Sequence, residues 1–262
     1  MCGMNKKSII ALAIISLGAI AGVAGATHSW GGYHWARTSN PFTIKLGDNL
    51  STAWDPYLST ASYDWTLSSV LDTTVVPGIV NPKTCKATAG QVQVCNSKYG
   101  RNGWLGIASV WISGEHITQG TVKMNDTYFS TSQYNTPAWK NLVLCQEVGH
   151  TFGLDHQDED FYNSPLGTCM DYTSDPTPNQ HPNAHDYEML ESIYAHLDSS
   201  TTLSQSSASS AQDVDHNDPA TWGKALRYSS DKKSSVHEKN FGNGSRVVTF
   251  VVWADPDHAR HE

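Results

Sequence analysis

Gln146-Glu147-Val148-Gly149-His150-Thr151-Phe152-Gly153-Leu154-Asp155-His156 is the stretch on which the reading of this chain turns. Gln146 and His150 are four residues apart and stack on one helix face, while Glu147 is rotated about 100° from Gln146 and can still address whatever is bound there. Gly153 lets the chain leave the helix with a positive backbone angle, so that His156 swings back toward the same point. Two imidazoles and one carboxylate converge.

Outward from that stretch the elements fall into order. Thr136-Pro137 supplies an N-cap and a first helical residue, Trp139, Leu142 and Val143 give the helix a buried face, and Gly153 is where it can end. Upstream, Phe42, Ile44 and Leu46 alternate with Thr43 and Lys45 as a half-buried strand that Gly47-Asp48-Asn49 should terminate. Trp54, Tyr57, Leu58, Ala61 and Trp65 form one helical stripe, with Thr52 as its expected N-cap and Pro56 in the first turn. Residues 70–76 read as a strand stopped by Pro77-Gly78. After a loop carrying two cysteines, residues 104–112 read as an inner strand and residues 118–125 as an alternating one. A helix near Asn183 carries Leu190, Ile193, Tyr194 and Leu197 on one stripe, to about Leu197. Strand, helix and further strands in this order predict an α+β fold, a mixed sheet with helices packed on it.

The 262 residues, 39% hydrophobic and 16% charged, are enough for one sizeable core and exclude a chain disordered throughout. A formal charge of −8 without a basic run speaks against nucleic acid as a partner. Lys6 and Lys7 precede an apolar run that ends in Ala24-Gly25-Ala26, the small residues a signal peptidase requires, so residues 1–26 read as a signal peptide. The mature chain is then expected to be secreted or periplasmic, free of the membrane and monomeric. Residues 27–198 form the main domain and residues 199–217 a serine-rich flexible linker. Residues 218–262 form a C-terminal extension, in which residues 235–241 and 246–253 flank Gly242-Asn243-Gly244-Ser245 as a β-hairpin. Too short to be stable alone, the hairpin should dock on the main domain or on a partner. Discounting Cys2 leaves Cys85, Cys95, Cys145 and Cys169, which in an oxidising compartment are read as bridged; three connectivities are open. His28 and His34 read as an ordered arm or solvated residues rather than ligands.

The stretch at 146–156 resembles the long zinc-binding motif of the metzincin metallopeptidases, His-Glu-x-x-His-x-x-Gly-x-x-His, with Gln146 in place of the first histidine. Cys169-Met170-Asp171-Tyr172 resembles the Met-turn of that family and is most like its pappalysin-type branch. The resemblance covers roughly residues 42–197. It implies a metzincin-like catalytic domain with a twisted, mostly parallel sheet, an active-site helix, a Met-turn and a C-terminal helix. One catalytic Zn2+ would be held by His150, His156 and Gln146, with Glu147 as general base and Tyr172 stabilising the oxyanion or substrate. Met170 would lie under the metal. An amide oxygen is a weaker zinc donor than imidazole, and Asp158, Asp171, His181 or His185 are alternatives for completing the shell. The favoured bridges are Cys85 with Cys95 and Cys145 with Cys169; the second would hold active helix and Met-turn in register. The implied activity is hydrolysis of peptide bonds in a peptide or protein substrate by a metal-activated water. The competing readings are a metzincin scaffold that binds zinc without catalysis, and an exported protein or glycan binder suggested by nine tryptophans. An active enzyme cleaves denatured protein in a chelator-sensitive, Glu147-dependent way; a binder keeps its affinity after chelation.

Overall fold

The computed structural model describes residues 28–203 and 214–254. The segment read as a signal peptide and the middle of the serine-rich linker lie outside the described residues. In chain order the elements are β1 (His34–Trp35), β2 (Phe42–Asn49), α1 (Asp55–Trp65), β3 (Leu71–Pro77), β4 (Val92–Ser97), β5 (Trp104–Ser113), β6 (His116–Asn125), α2 (Asp126–Phe129), α3 (Pro137–His150), α4 (Ala184–Ile193), β7 (Lys224–Tyr228), β8 (Ser234–Gly242) and β9 (Ser245–Trp253). They build a mixed α+β fold around one sheet of order β3-β2-β4-β6-β5-β9-β8-β7. The half from β3 to β6 is parallel, with β1 pairing parallel to the start of β6. The half from β6 to β7 is antiparallel.

Local chemistry explains the elements and the departures from expectation. In β2, Phe42, Ile44 and Leu46 are buried between exposed Thr43 and Lys45, the period-2 pattern of a strand with one covered face. β2 runs on through Gly47-Asp48-Asn49 because these residues pair with Gln93, Val94 and Cys95 of β4, and Gly47 has no Cβ to strike the Gln93 side chain. β4 itself was read as part of a cysteine loop. Residues 92–96 are buried in the sheet, and the Cys85–Cys95 disulfide fastens the preceding loop to it.

α1 begins at Asp55 with Trp54 as N-cap and no side-chain cap; Thr52 does not cap it, because Ser51 to Trp54 close a turn in which the Trp54 N–H donates to the Ser51 carbonyl at 2.8 Å. α3 is capped by the Thr136 side chain, which accepts from the Trp139 N–H. α4 opens on a capping box between Asn183 and Asp186. It ends at Ile193 rather than near Leu197, because Arg37 draws the following turn away. The Arg37 guanidinium donates to the His196 carbonyl and to Asp198.

The C-terminal hairpin is part of the main sheet. β9 pairs antiparallel with β5 from Ser113 to Trp104, and its alternation serves two cores at once. Val248, Phe250 and Val252 join the principal core with Leu105, Val143 and Val148. Val247, Val251 and Trp253 join Trp104, Ile107, Trp111, Val214 and Trp222 on the opposite face. β5 is therefore covered on both sides, as its nearly unbroken apolar run predicts. Trp35, Trp222 and Trp253, which could have been sugar-stacking platforms, are buried instead. No helix among the described residues is long and apolar enough to cross a membrane, and two disulfides fit an oxidising compartment.

Candidate metal centre

The last turn of α3 buries Gln146, Glu147, Val148, Gly149 and His150. Past the helix, Gly153 adopts φ 95°; a Cβ there would collide with the Tyr33 carbonyl, so glycine is required to turn the chain. Leu154 then bridges to Ser29, the Asp155 N–H donates to the His28 carbonyl at 2.5 Å, and His156 is carried back under the helix end. The His150 and His156 rings lie 4.5 Å apart, nearly perpendicular.

Both imidazoles have a fixed tautomer. His150 Nδ1 donates to the Leu154 carbonyl at 2.9 Å and His156 Nδ1 to Glu159 Oε1 at 3.3 Å. Each Nε2 is left as a lone pair, buried and without a hydrogen-bonding partner. That is the second shell a histidine ligand needs: one ring nitrogen anchored, the other free to coordinate.

The loop at 169–172 closes the site from below. The Cys145–Cys169 disulfide ties it to α3, the Gln146 side-chain amide donates to the Cys169 carbonyl at 2.9 Å, and the Gln157 N–H donates to the Met170 carbonyl at 2.7 Å. Met170 is buried beneath Gly149, where a Cβ would strike the Met170 sulfur and the Trp65 ring. Tyr172 packs its ring 4.2 Å from that of His156, and its hydroxyl is buried without a partner in good geometry. Burial pushes the Tyr172 phenol well above its ordinary pKa, the Ser234 hydroxyl opposing and the charge of Glu147 adding to the rise. Tyr172 therefore stays a donor.

Glu147 is wholly buried, and neither carboxylate oxygen has a hydrogen-bonding partner in good geometry. Gly106 of β5 passes against it, leaving no room for a Cβ between strand and helix. Desolvation pushes the carboxyl well above the usual carboxylate range, the Ala108 backbone N–H pulling the other way. Desolvation and the neighbouring His156 push His150 well below the ordinary imidazole value.

Of the candidates for completing the shell, Asp171 keeps one free oxygen and the others have partners elsewhere. Asp158 accepts from Asp160 and Asn163, and Asp171 accepts through Oδ2 from Leu166 and Asn179, leaving Oδ1 buried and unpartnered. His181 pairs with Asp64 at 2.7 Å, and His185 faces Glu188 and the His28 ring. Gln146 keeps its amide oxygen as the group it could offer.

Several neighbours were not singled out from the sequence. Phe250 of β9 stacks on the His150 ring at 4.1 Å and 7°. Arg227 of β7 holds Asp155 through two bonds of 3.0 and 2.6 Å and Glu159 at 2.8 Å. Asp155, His156 and Glu159 are close enough to share a cation, and the Arg227 guanidinium already serves as that cation. Burial would raise Asp155, but His156 and Arg227 overcome it and hold the carboxyl below its ordinary value. The apolar alternation of residues 246–253 signalled a buried face for Phe250; nothing local says which ring it meets. A cleft of about 170 Å³, lined by Leu105, Tyr134, Trp139, Phe161, Lys233 and Trp253 among others, is separated from Tyr172 by the stacked ring of Phe161.

No protein-family model matches the chain, and a search of curated proteins finds no similar one.

Proposed function

We propose that the chain is an exported zinc-dependent endopeptidase of metzincin type, held here with its site closed. The observation that carries this reading is a set of buried polar atoms: Nε2 of His150 and His156, which have no hydrogen-bonding partner, beside the Glu147 carboxyl and the Tyr172 hydroxyl, which have none in good geometry. An unsatisfied buried atom costs about 1–3 kcal/mol, and a cation with a polar substrate group would satisfy this set. The donor set fits zinc: two tautomer-fixed imidazoles, an available amide oxygen on Gln146 and a carboxylate beside them. Bound zinc would supply a Lewis acid that brings the pKa of a coordinated water to about 7.

The residues have separable tasks. His150 and His156 hold the ion through Nε2. Glu147, in a desolvated pocket, accepts the proton of the attacking water and returns it to the leaving amine. The Tyr172 hydroxyl, kept protonated by burial, donates to the oxygen on which negative charge develops. Gln146 and the Cys145–Cys169 bridge position the loop that carries Tyr172. The substrate is a peptide or protein, and access to it requires the face covered by Phe250 and latched by Arg227 to open.

A specific observation favours a second reading, a zinc-binding scaffold without catalysis. The third imidazole is absent, and Phe250 lies flat on His150. The experiment that separates the two uses the zinc-loaded full chain and an Arg227→Ala/Phe250→Ala variant on a denatured protein substrate. The peptidase reading expects cleavage that is faster in the variant, abolished by chelation and lost in Glu147→Gln. Zinc held by His150 and His156 with no cleavage in either chain establishes the scaffold reading instead.

A further inference from the structure

At the start of β6, His34, His116 and Asp198 each bring a donor atom within 4.8 Å of the others, with His196 against His34 and Asp198; no sequence motif announced the cluster. β1 pairs with β6 in the register His34↔His116, which places those two side chains next to each other on one face of the sheet. The turn after α4 brings His196 and Asp198 to the same point. His34 Nε2 lies 3.1 Å from His196 Nε2 and 3.5 Å from Asp198 Oδ1. Asp198 Oδ1 lies 3.2 Å from His116 Nε2 and 3.9 Å from His196 Nε2.

We propose that His34, His116, His196 and Asp198 form a second divalent-cation site, structural in type and of the zinc class. Ligands about 2.0–2.1 Å from a tetrahedral zinc are roughly 3.3–3.4 Å from one another; four of the six edges of such a tetrahedron measure 3.1 to 3.9 Å here, and closing the edge between His116 and His196 requires the half-exposed His196 side chain to swing inward. Three imidazoles and one carboxylate oxygen are a nitrogen-rich set that suits zinc over magnesium or calcium.

The hydrogen bonds around the cluster argue in the same direction. His34 Nδ1 donates to the Gly32 carbonyl at 2.9 Å, so the neutral ring presents a lone pair at Nε2. In that tautomer the lone pair faces a carboxylate oxygen and another imidazole nitrogen, a group of acceptors that a shared cation, metal ion or proton, would hold together. Asp198 Oδ2 is taken by the Arg37 backbone N–H at 3.1 Å and the Arg37 guanidinium at 2.9 Å, which orients the carboxylate and leaves Oδ1 turned to the imidazoles. With His196 drawn in, four protein donors would leave no open position, which marks a structural rather than a catalytic ion. The ion would clamp the N-terminal arm, the start of β6 and the turn after α4 to one another, and it uses no residue of the His150 and His156 site.

The test is metal content and cobalt spectroscopy of the full chain after zinc or cobalt loading and exhaustive dialysis. The proposal expects His116→Ala/His196→Ala to hold one equivalent fewer than the unsubstituted chain. It further expects the single His196→Ala variant, at a half-exposed rim position, to bind zinc at this site at least about 100-fold more weakly, since lost second-shell groups alone cost 10- to 100-fold. Visible bands of four-coordinate cobalt should disappear in the same variants and persist in His150→Ala/His156→Ala, whether or not the other site takes an ion. Equal metal content with and without His116 and His196, or cobalt bands indifferent to them, overturns the proposal and leaves a proton-bridged imidazole cluster.

Discussion

Gln146 has its amide nitrogen committed to the Cys169 carbonyl, so whatever it offers a cation comes from its oxygen alone. Replacing it with histidine exchanges a weak neutral donor for an imidazole, and Gln146→His should tighten zinc binding at this site by tenfold or more. Unchanged affinity in a zinc titration would place position 146 outside the shell. Gly149 is fixed for a different reason. A Cβ there meets the Met170 sulfur and the Trp65 ring, so Gly149→Ala should destabilise the fold by about 1–3 kcal/mol as an overpacked core does, measured as a lower urea midpoint. Much of this scale was legible in the sequence: spacing alone put Gln146 and His150 on one helix face with Glu147 near it, and Gly153 announced the turn that returns His156. What stayed hidden were contacts made across the fold. Phe250 and Arg227 come from strands far along the chain, and His34 reads as an arm residue until the register of β1 against β6 puts His116 beside it.

At the scale of elements, the C-terminal strands do more than extend the sheet, because β9 covers β5 and β7 latches the site through Arg227. Their packing carries a pH dependence. Burial pushes His237 of β8 from 6.5 to about 4, its ring set between Trp222 and Tyr228. The unfolded chain therefore takes up this proton first, and stability is complete above pH 6.5 and falls between pH 6.5 and 4, by about 3 kcal/mol once both states are protonated. Urea midpoints measured from pH 7 to pH 4 should decline, and His237→Gln should flatten that decline; a slope indifferent to the substitution refutes the assignment. The elements show why sequence reading fails where it does. β2, α3 and the β8–β9 hairpin carry strong periodicity and clear turns. β4 does not, since its cysteine and its polar residues at 93 and 96 mimic a loop, and only pairing on both sides makes it a central strand. β7 is short and half-exposed, with no alternation for a pattern to detect.

For the whole molecule, the Cys145–Cys169 bridge spans a sequence separation of 24 and joins the two halves of the candidate centre. Closing a loop of that size restricts the unfolded chain by about 3 kcal/mol, so a Cys145→Ala/Cys169→Ala chain should lose about that much stability in denaturant titration. Its zinc affinity at His150 and His156 should also fall, because the loop beneath the helix is no longer held. If stability drops while affinity is unchanged, the bridge serves the fold alone.

The candidate centre is walled by both flanks of the polypeptide. The residue 28–30 arm is bonded to the turn after α3, and Phe250, far downstream, closes the other side. A nascent chain thus has no finished centre until strand β9 has emerged, and the two walls, first and last to be made, must meet before the imidazoles are enclosed.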